Sequence, residues 1–168
     1  MTLSPTTLFP SVGIGLLSRI LLLFSLLISS LLTPALAHAQ AEEQEVRAAV
    51  NGLYRALSDQ DATAFSTYLM PQGFTEFNPD WPGVRRLDMK VFKSIFESGA
   101  KIDLSVAELQ VHLISAGNAV TTGYRVGTIT PPGGVAIKSR LALTMIWAKH
   151  LVQWKLQHVH LSEEKSDQ

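Results

Sequence analysis

The chain of 168 residues contains no cysteine and carries no excess of charge of either sign. Without cysteine it forms neither disulfides nor thiolate sites, so its apolar core alone must stabilise it. With 14 basic and 14 acidic side chains, the sequence offers no electrostatic basis for binding nucleic acid. It also lacks a glycine-rich phosphate loop and a nucleophile-elbow motif, and we expect no cofactor.

The first 39 residues contain no lysine, aspartate or glutamate, and their single basic residue is Arg19. An apolar run, Ile20–Leu32, follows Arg19, and a small-x-small sequence, Ala37-His38-Ala39, comes after it. This order is typical of a secretory signal that is cleaved. We therefore predict a bacterial-type signal peptide over residues 1–39 and an exported mature domain, 40–168, that is periplasmic or secreted.

Two alternatives remain for this leader. Cleavage after Ala37 is the second choice, because Ala35-Leu36-Ala37 also fits a small-x-small site. An uncleaved anchor is the other alternative, since the apolar run of 13 residues can be extended back to Val12. A spanning helix needs about 20 residues, so the length of the run favours cleavage over anchoring. After cleavage, we expect no stable membrane span. The missing cysteine excludes a lipoprotein anchor.

Apolar residues recur at helical spacing in three segments of the mature chain. Asp61 and Asp88 are suited to cap the second and third helices, and Gln40–Gln44 is predicted as a polar lead-in to the first. The apolar faces are Val46, Val50, Leu53 and Leu57, then Phe65, Tyr68 and Leu69, then Met89, Phe92, Ile95 and Phe96.

From Ile102 onwards, the apolar period changes from about 3.6 to 2, which is typical of strands. The parity of the apolar residues reverses near Ala107, which predicts a β-bulge there. The order of elements indicates an α+β fold, a cone in which three N-terminal helices pack in a strongly bent antiparallel sheet. The predicted strands are Phe74–Phe77, a long strand from Ile102 to Leu113, Ala119–Ile129, Ile137–Ala148 and Val152–Leu161.

The last strand carries two histidines at i and i+2. Simple alternation places His158 and His160 on the same face as Trp154 and Leu156. Histidine suits acid–base catalysis at neutral pH, so both are candidate catalytic residues. The alternative is a hydrogen bond across the sheet or at a subunit contact.

These two histidines could also ligate a metal ion. A zinc site would need a third protein ligand, for which only His112 and Glu76 offer themselves, without motif spacing. We therefore predict no metal site.

Arg125 lies between apolar residues in a predicted strand. A buried guanidinium is costly unless an anion pairs with it. The sequence therefore predicts either a carboxylate ligand at Arg125 or a salt bridge to Glu76, Glu108 or Asp88.

Several motifs in this chain resemble the association domain of calcium/calmodulin-dependent protein kinase II. That domain belongs to the nuclear transport factor 2-like superfamily, which includes SnoaL-like cyclases, ketosteroid isomerases and scytalone dehydratase. The resemblance covers roughly residues 43 to 162. It is carried by Phe74–Gly83, Leu87-Asp88, His112–Ile114, Tyr124-Arg125, Thr144–Trp147 and, most specifically, the Trp-x-x-x-His-x-His-x-Ser sequence of Trp154–Ser162.

The resemblance implies a cone that encloses a pocket, and a homodimer or larger ring. In the kinase hubs the pocket is lined by arginines and a histidine. Here only Arg125 matches an arginine, while Lys90 occupies the position of that histidine. Met145 and Leu161 occupy the positions of two further arginines. Because the chain is predicted to be exported and has no kinase domain, the kinase-associated role is not carried over.

The residues and the resemblance together give three hypotheses. The first is a module that binds a small carboxylate, with Arg125, His112, Trp147 and Lys90 joining the two histidines as ligand-binding candidates. The second is a cofactor-independent isomerase, dehydratase or hydrolase with a histidine base. Superfamily isomerases use a cavity aspartate, for which Asp103 is the strand candidate. The third is an interaction protein that pairs with itself.

Overall fold

The computed structural model describes the backbone of residues 14–164 and the side chains from Leu36 to Glu164. The chain divides into two units, Met1–His38 and Ala39–Gln168, and the account below concerns the second. Most of the predicted signal peptide lies outside the described side chains, so the leader stays a prediction. Among the described residues, no helix has the length and apolar character that crossing a membrane requires.

Three helices and six strands make up the described chain. Helix α1 continues through Gln40–Gln44, which the sequence had suggested would be a lead-in. The helices are α1 (Ile14–Ser58), α2 (Ala62–Ser66) and α3 (Met89–Glu97). The strands are β1 (Phe74–Phe77), β2 (Val84–Leu87), β3 (Lys101–Ser115), β4 (Asn118–Thr130), β5 (Ile137–His150) and β6 (Gln153–Glu163).

Both predicted helix caps are confirmed. The carboxylate of Asp61 accepts hydrogen bonds from the backbone N–H groups of Thr63 and Ala64 at 3.0 and 2.9 Å. The carboxylate of Asp88 accepts from those of Lys90 and Val91 at 2.9 and 3.1 Å. These bonds satisfy backbone donors that have no partner inside a helix, and so fix where α2 and α3 begin.

The strands form one six-stranded sheet in the order β2-β1-β6-β5-β4-β3. The sheet is mixed rather than purely antiparallel, because β1 pairs with β6 in parallel, with Thr75 opposite His158. Strand β2, which was not predicted, forms a hairpin with β1. The side chains of Val84–Leu87 are mostly exposed and do not alternate between buried and exposed. The sequence therefore shows no strand period there.

The predicted bulge in β3 is confirmed. The register of β3 and β4 shifts between Ala107 and Gln110, and Glu108 takes a positive φ of 54°. The extra residue bends the strand, and the sheet curves around the domain portion of α1. Val46 and Val50 of α1 are fully buried, and Leu53 is buried beside them. The sheet and α1 therefore share one core.

Glycine is required where β4 passes close to the β3 backbone at Asp103. Gly127 has a φ of 135°, and a Cβ built on it would lie 2.0 Å from the carbonyl oxygen of Asp103. Only glycine fits both the backbone angle and the space. This close contact lies two residues from Arg125 and fixes the path of β4 at that point.

Candidate functional site

A cavity of about 360 Å³ lies between the helices and the inner face of the curved sheet. Its walls are mainly apolar side chains from all three helices and five of the strands, and β2 adds Leu87 and Arg85. Three of its lining residues, Asp80, Arg85 and Val91, are exposed, so the cavity reaches the surface beside them. Apolar lining residues include Leu53, Phe65, Phe92, Met145, Leu156 and Leu161.

Glu76 supplies a buried carboxyl group to this cavity. It is 7% exposed, and Asn78 Nδ2 donates a hydrogen bond to its Oε1 at 2.9 Å. Burial raises the pKa of Glu76 above its usual range. The hydrogen bond from Asn78 and the charge of Arg125 oppose that rise, and Asp80 adds to it. A carboxyl group of this kind takes up a proton more readily than an exposed one.

Arg125 lies in the same cavity and forms no ion pair with any described residue. Its Nη2 donates to the Ser139 hydroxyl at 3.2 Å, while its Nε is buried and has no hydrogen-bond partner among the described residues. The salt bridges considered from the sequence are not formed. Glu108 pairs with Arg140 at 3.2 Å, and Asp88 caps α3. Glu76 affects Arg125 only through its charge at longer range.

Two aromatic residues add polar atoms to the apolar walls. Tyr54 of α1 is buried, and this burial raises the pKa of its hydroxyl, which stays neutral as a result. The charge of Arg125 lowers that pKa and the charge of Glu76 raises it, both by less. The indole Nε1 of Trp81 is buried with no partner among the described residues. The guanidinium of Arg85 lies over the Trp81 ring, 5.0 Å from its centroid.

The structure places only one of the sequence-predicted site residues, Arg125, in the lining of the cavity. His112, Lys90 and Asp103 are exposed and do not line it. Trp147 is fully buried in the core, where its Nε1 donates to the hydroxyl of Thr121 at 3.2 Å. These residues are therefore not brought together into one site.

His158 and His160 lie on the outer face of the sheet. The register of β5 and β6 shifts so that Ile146 faces His158 while Trp147 faces Leu156, which leaves Gln157 as an extra residue. This bulge reverses the parity of β6. The prediction that both histidines share a face with Trp154 and Leu156 is therefore wrong.

The two histidines form a partly exposed cluster with Phe77. His158 Nδ1 lies 2.8 Å from Thr75 Oγ1, and the Phe77 ring contacts both imidazoles, with centroids 6.1 and 5.5 Å away. Partial burial, and then the charge of His160, lowers the pKa of His158. No group of three or more His, Asp or Glu side chains in the described part of the chain could hold a metal ion.

The sequence reasoning did not assign Glu76, Tyr54, Asn78 or Trp81 to the cavity. A signal for Glu76 was present, because Phe74 and Glu76 share parity in β1 and Phe74 is a core residue. Tyr54 could have been found at i+4 from Val50 on the apolar face of α1. Asn78 and Trp81 lie in an irregular loop, where no period indicates direction.

This arrangement defines an α+β cone domain with an internal, mainly apolar cavity. The cavity is lined by one buried carboxyl group, Glu76, and by one guanidinium, Arg125, that has no ion-pair partner between Leu36 and Glu164. The chain belongs to the SnoaL-like domain family, whose sequence model matches residues 46–163. No curated protein matches the chain.

Solved structures share the fold. A candidate dehydratase of the NTF2-like family from Streptomyces avermitilis is 18% identical, with a TM-score of 0.63, over 76% of this chain and 99% of that one. The CaMKII association domain of C. elegans is 18% identical, with a TM-score of 0.59, over 74% of this chain and 97% of that one. A ketosteroid isomerase-like protein from Erwinia carotovora atroseptica is 18% identical, with a TM-score of 0.59, over 74% of this chain and 98% of that one. The family model confirms the predicted SnoaL-like assignment, and these structures confirm the predicted fold.

Proposed function

We propose that the domain binds a small molecule with an apolar body and a carboxylate in the cavity between α1 and the sheet. The observation that carries this proposal is Arg125, a cation among apolar walls that pairs with no acidic side chain in the described part of the chain. A guanidinium in such surroundings gains most from a carboxylate, which pairs with it through two hydrogen bonds.

The size and composition of the cavity support the same class of ligand. Its volume of about 360 Å³ lies near the lower end of ligand sites, which span roughly 300–1,000 Å³. Met145 and Leu161, at the positions matched to arginines in the kinase hubs, both line it. Their apolar side chains favour a ligand with an apolar body and one acidic group.

The test is thermal unfolding with benzoate, phenylacetate and cinnamate, each compared with its neutral primary amide. We expect the acids to raise the melting temperature and the amides to have little effect. Arg125→Met removes the charge at similar length and should abolish the gain. Arg140→Met, on the outer face, is the matched control and should retain it. The proposal is contradicted if no acid stabilises the wild type, or if Arg125→Met keeps the gain.

A second candidate function is acid–base catalysis in the same cavity. The histidine base considered from the sequence lies outside the cavity, whereas Glu76 and Tyr54 both line it. Glu76 would remove a proton from the carbon next to a carbonyl group, and the neutral Tyr54 hydroxyl would donate to the oxygen that gains charge. Burial of both groups favours this chemistry.

Catalysis of this kind is detected as exchange of hydrogen for deuterium, even when the product is unknown. Cyclohexanone and phenylacetaldehyde in D₂O are the probes, and loss of the α-proton signal is followed by NMR. We expect exchange above the buffer rate with the wild type and none above it with Glu76→Gln. His158→Gln is the control and should exchange like the wild type. Exchange at the buffer rate in the wild type contradicts this candidate.

The outer face of the sheet is proposed as a surface for self-association. Phe77 and Ile146 are 40% and 43% exposed there, beside the two histidines. Solved relatives of this fold include domains named as hubs and association domains. Light scattering should show a dimer or larger species for the wild type and a smaller one for Ile146→Lys. Val135→Lys, in the exposed β4–β5 loop, is the control; an unchanged mass for Ile146→Lys contradicts the surface.

Export of the domain is the remaining proposal. It rests on the composition of residues 1–39 and on the Ala37-His38-Ala39 sequence. Expression of the full chain with fractionation of the cells, followed by N-terminal sequencing, tests it. A mature protein that begins at Gln40 supports cleavage, and a cytoplasmic protein that begins at Met1 contradicts it.

A further inference from the structure

The cavity holds a buried carboxyl group, that of Glu76, and a half-buried guanidinium, that of Arg125, which do not touch. Glu76 receives its hydrogen bond from Asn78, and Arg125 donates to Ser139. They interact only through the space of the cavity, where Arg125 lowers the pKa of Glu76 without overcoming the effect of burial. With Glu76 ionised, this pair is neutral in sum, and the apolar walls offer no further compensation.

A carboxylate ligand would upset this balance. Its charge would bring a second negative group beside Arg125, and one guanidinium cannot neutralise two carboxylates at a site of low polarity. Like charges at close range drive one of the two groups to bind a proton. The acid already predisposed to do so by burial is Glu76.

The other charged groups facing the cavity do not remove this excess. Asp80 adds negative charge, and Arg85 is exposed and lies over the Trp81 ring, where water screens it. Tyr54, from α1, is neutral. The residues that α2, α3, β3, β5 and β6 contribute to the lining carry no charged or titratable side chain.

We propose that the cavity binds its carboxylate ligand together with one proton, which Glu76 carries. The inference rests on the proposed carboxylate-binding function and concerns how that site is regulated. The proton comes from solvent and forms an O–H bond on Glu76, whose Oε1 keeps the hydrogen bond from Asn78. The neutral acid then donates that O–H to the ligand, while Arg125 pairs with the ligand's charge. Acidic surroundings therefore favour loading and alkaline surroundings favour release.

The experiment is calorimetric titration of the full domain with benzoate between about pH 6 and about pH 8, where benzoate stays ionised. Each titration is run in phosphate and in Tris, whose ionisation enthalpies differ. The wild type should take up close to one proton and lose affinity by up to about tenfold per pH unit. The loss sets in above the pKa of Glu76 in the free protein, where the carboxylate must be protonated on binding.

Glu76→Gln separates proton uptake from the rest of the site. Glutamine keeps the size of the side chain, an oxygen to accept from Asn78 and a donor for the ligand. This variant should bind benzoate with no pH dependence, and at about pH 8 it should bind about tenfold more tightly than the wild type. Asp80→Asn removes the other lining carboxyl and should retain the slope of the wild type.

The outcomes distinguish the two proposals. Binding with a flat pH profile in the wild type, or a slope that survives in Glu76→Gln, overturns the proton-coupled site and leaves carboxylate binding intact. Failure of benzoate, phenylacetate and cinnamate to bind at any pH contradicts carboxylate binding itself, and proton coupling with it. The melting temperature of each variant, measured without ligand, shows that it is folded.

Discussion

The two faces of the curved sheet place their polar groups in different surroundings. On the inner face, Glu76 and Arg125 lie among apolar walls, each with a single side-chain hydrogen bond from or to a neutral residue. On the outer face, Arg140 pairs with both Glu108 and Glu164 in the presence of water. Surface pairs of that kind contribute little to stability, whereas buried unpaired charges are costly. Groups that cost stability and are nevertheless present point to the inner face as the functional one.

Replacement of Trp147 tests the difference between the faces most strongly. Trp147 is fully buried, and its indole N–H donates a hydrogen bond to the hydroxyl of Thr121, which is also fully buried. Trp147→Ala should lower the free energy of unfolding by about 3–5 kcal/mol, because it leaves a new void in the core and removes the packing contacts of the indole. The neighbouring Ile146→Ala, on the outer face, should cost less than half as much. Urea unfolding measures both, and equal losses would show that the two faces are packed alike.

Replacement of Arg125 and of Arg140 should affect the free energy of unfolding differently. Arg125→Met removes a guanidinium that lacks an anion, so it should raise the free energy of unfolding by about 1 kcal/mol in the absence of ligand. Arg140→Met should not stabilise the domain, since it removes two exposed ion pairs. Chemical unfolding of both variants is the measurement. A destabilised Arg125→Met would mean that the charge is already compensated within the empty cavity.

Glu76 should make stability depend on pH. Because its pKa in the folded protein is raised above 4.5, its favourable contribution is complete below that pH and is lost as the pH rises through the folded value. Glu76→Gln should therefore melt higher than the wild type at about pH 8, and the gain should vanish at about pH 4. Glu97→Gln, exposed on α3, should show neither change. A gain that is constant with pH would assign it to packing instead of ionisation.

His158 should have the smallest effect, and in the opposite direction. Its pKa is lowered below 6.5 in the folded protein, so its contribution is present above that pH and is lost as the pH falls through the folded value. His158→Gln should reduce the loss of melting temperature between about pH 7 and about pH 5. His112→Gln, with an exposed side chain, is the control. If both variants lose stability equally, the partial burial of His158 does not matter to folding.

Much of the fold was predictable because its signals are local. Asp61 and Asp88 cap helices through their own following residues, and the reversal of apolar parity near Ala107 lies within one strand. The mixed sheet was not predictable in the same way. Strand β1 pairs in parallel with β6, about 80 residues later in the chain, and no local pattern encodes that pairing.

The candidate site was predicted less well than the fold. Arg125 was found because a cation between apolar neighbours in a strand is unusual. The histidines were assigned to the wrong face because the extra residue at Gln157 reverses the parity of β6, and nothing near it in the sequence breaks the period. Glu76 was visible in the sequence, but the cavity that it faces was not.

The sequence by itself determined the composition and local geometry of this domain: a cysteine-free core, capped helices, long strands and a bent β3. These follow from the spacing of apolar residues and from short-range hydrogen bonds. Only the tertiary structure decided which side chains share the cavity. Glu76, Tyr54 and Arg125 come from β1, α1 and β4, and they line one cavity because the sheet curves around the domain portion of α1. The direction of each side chain there depends on register shifts that are set by pairing between distant strands.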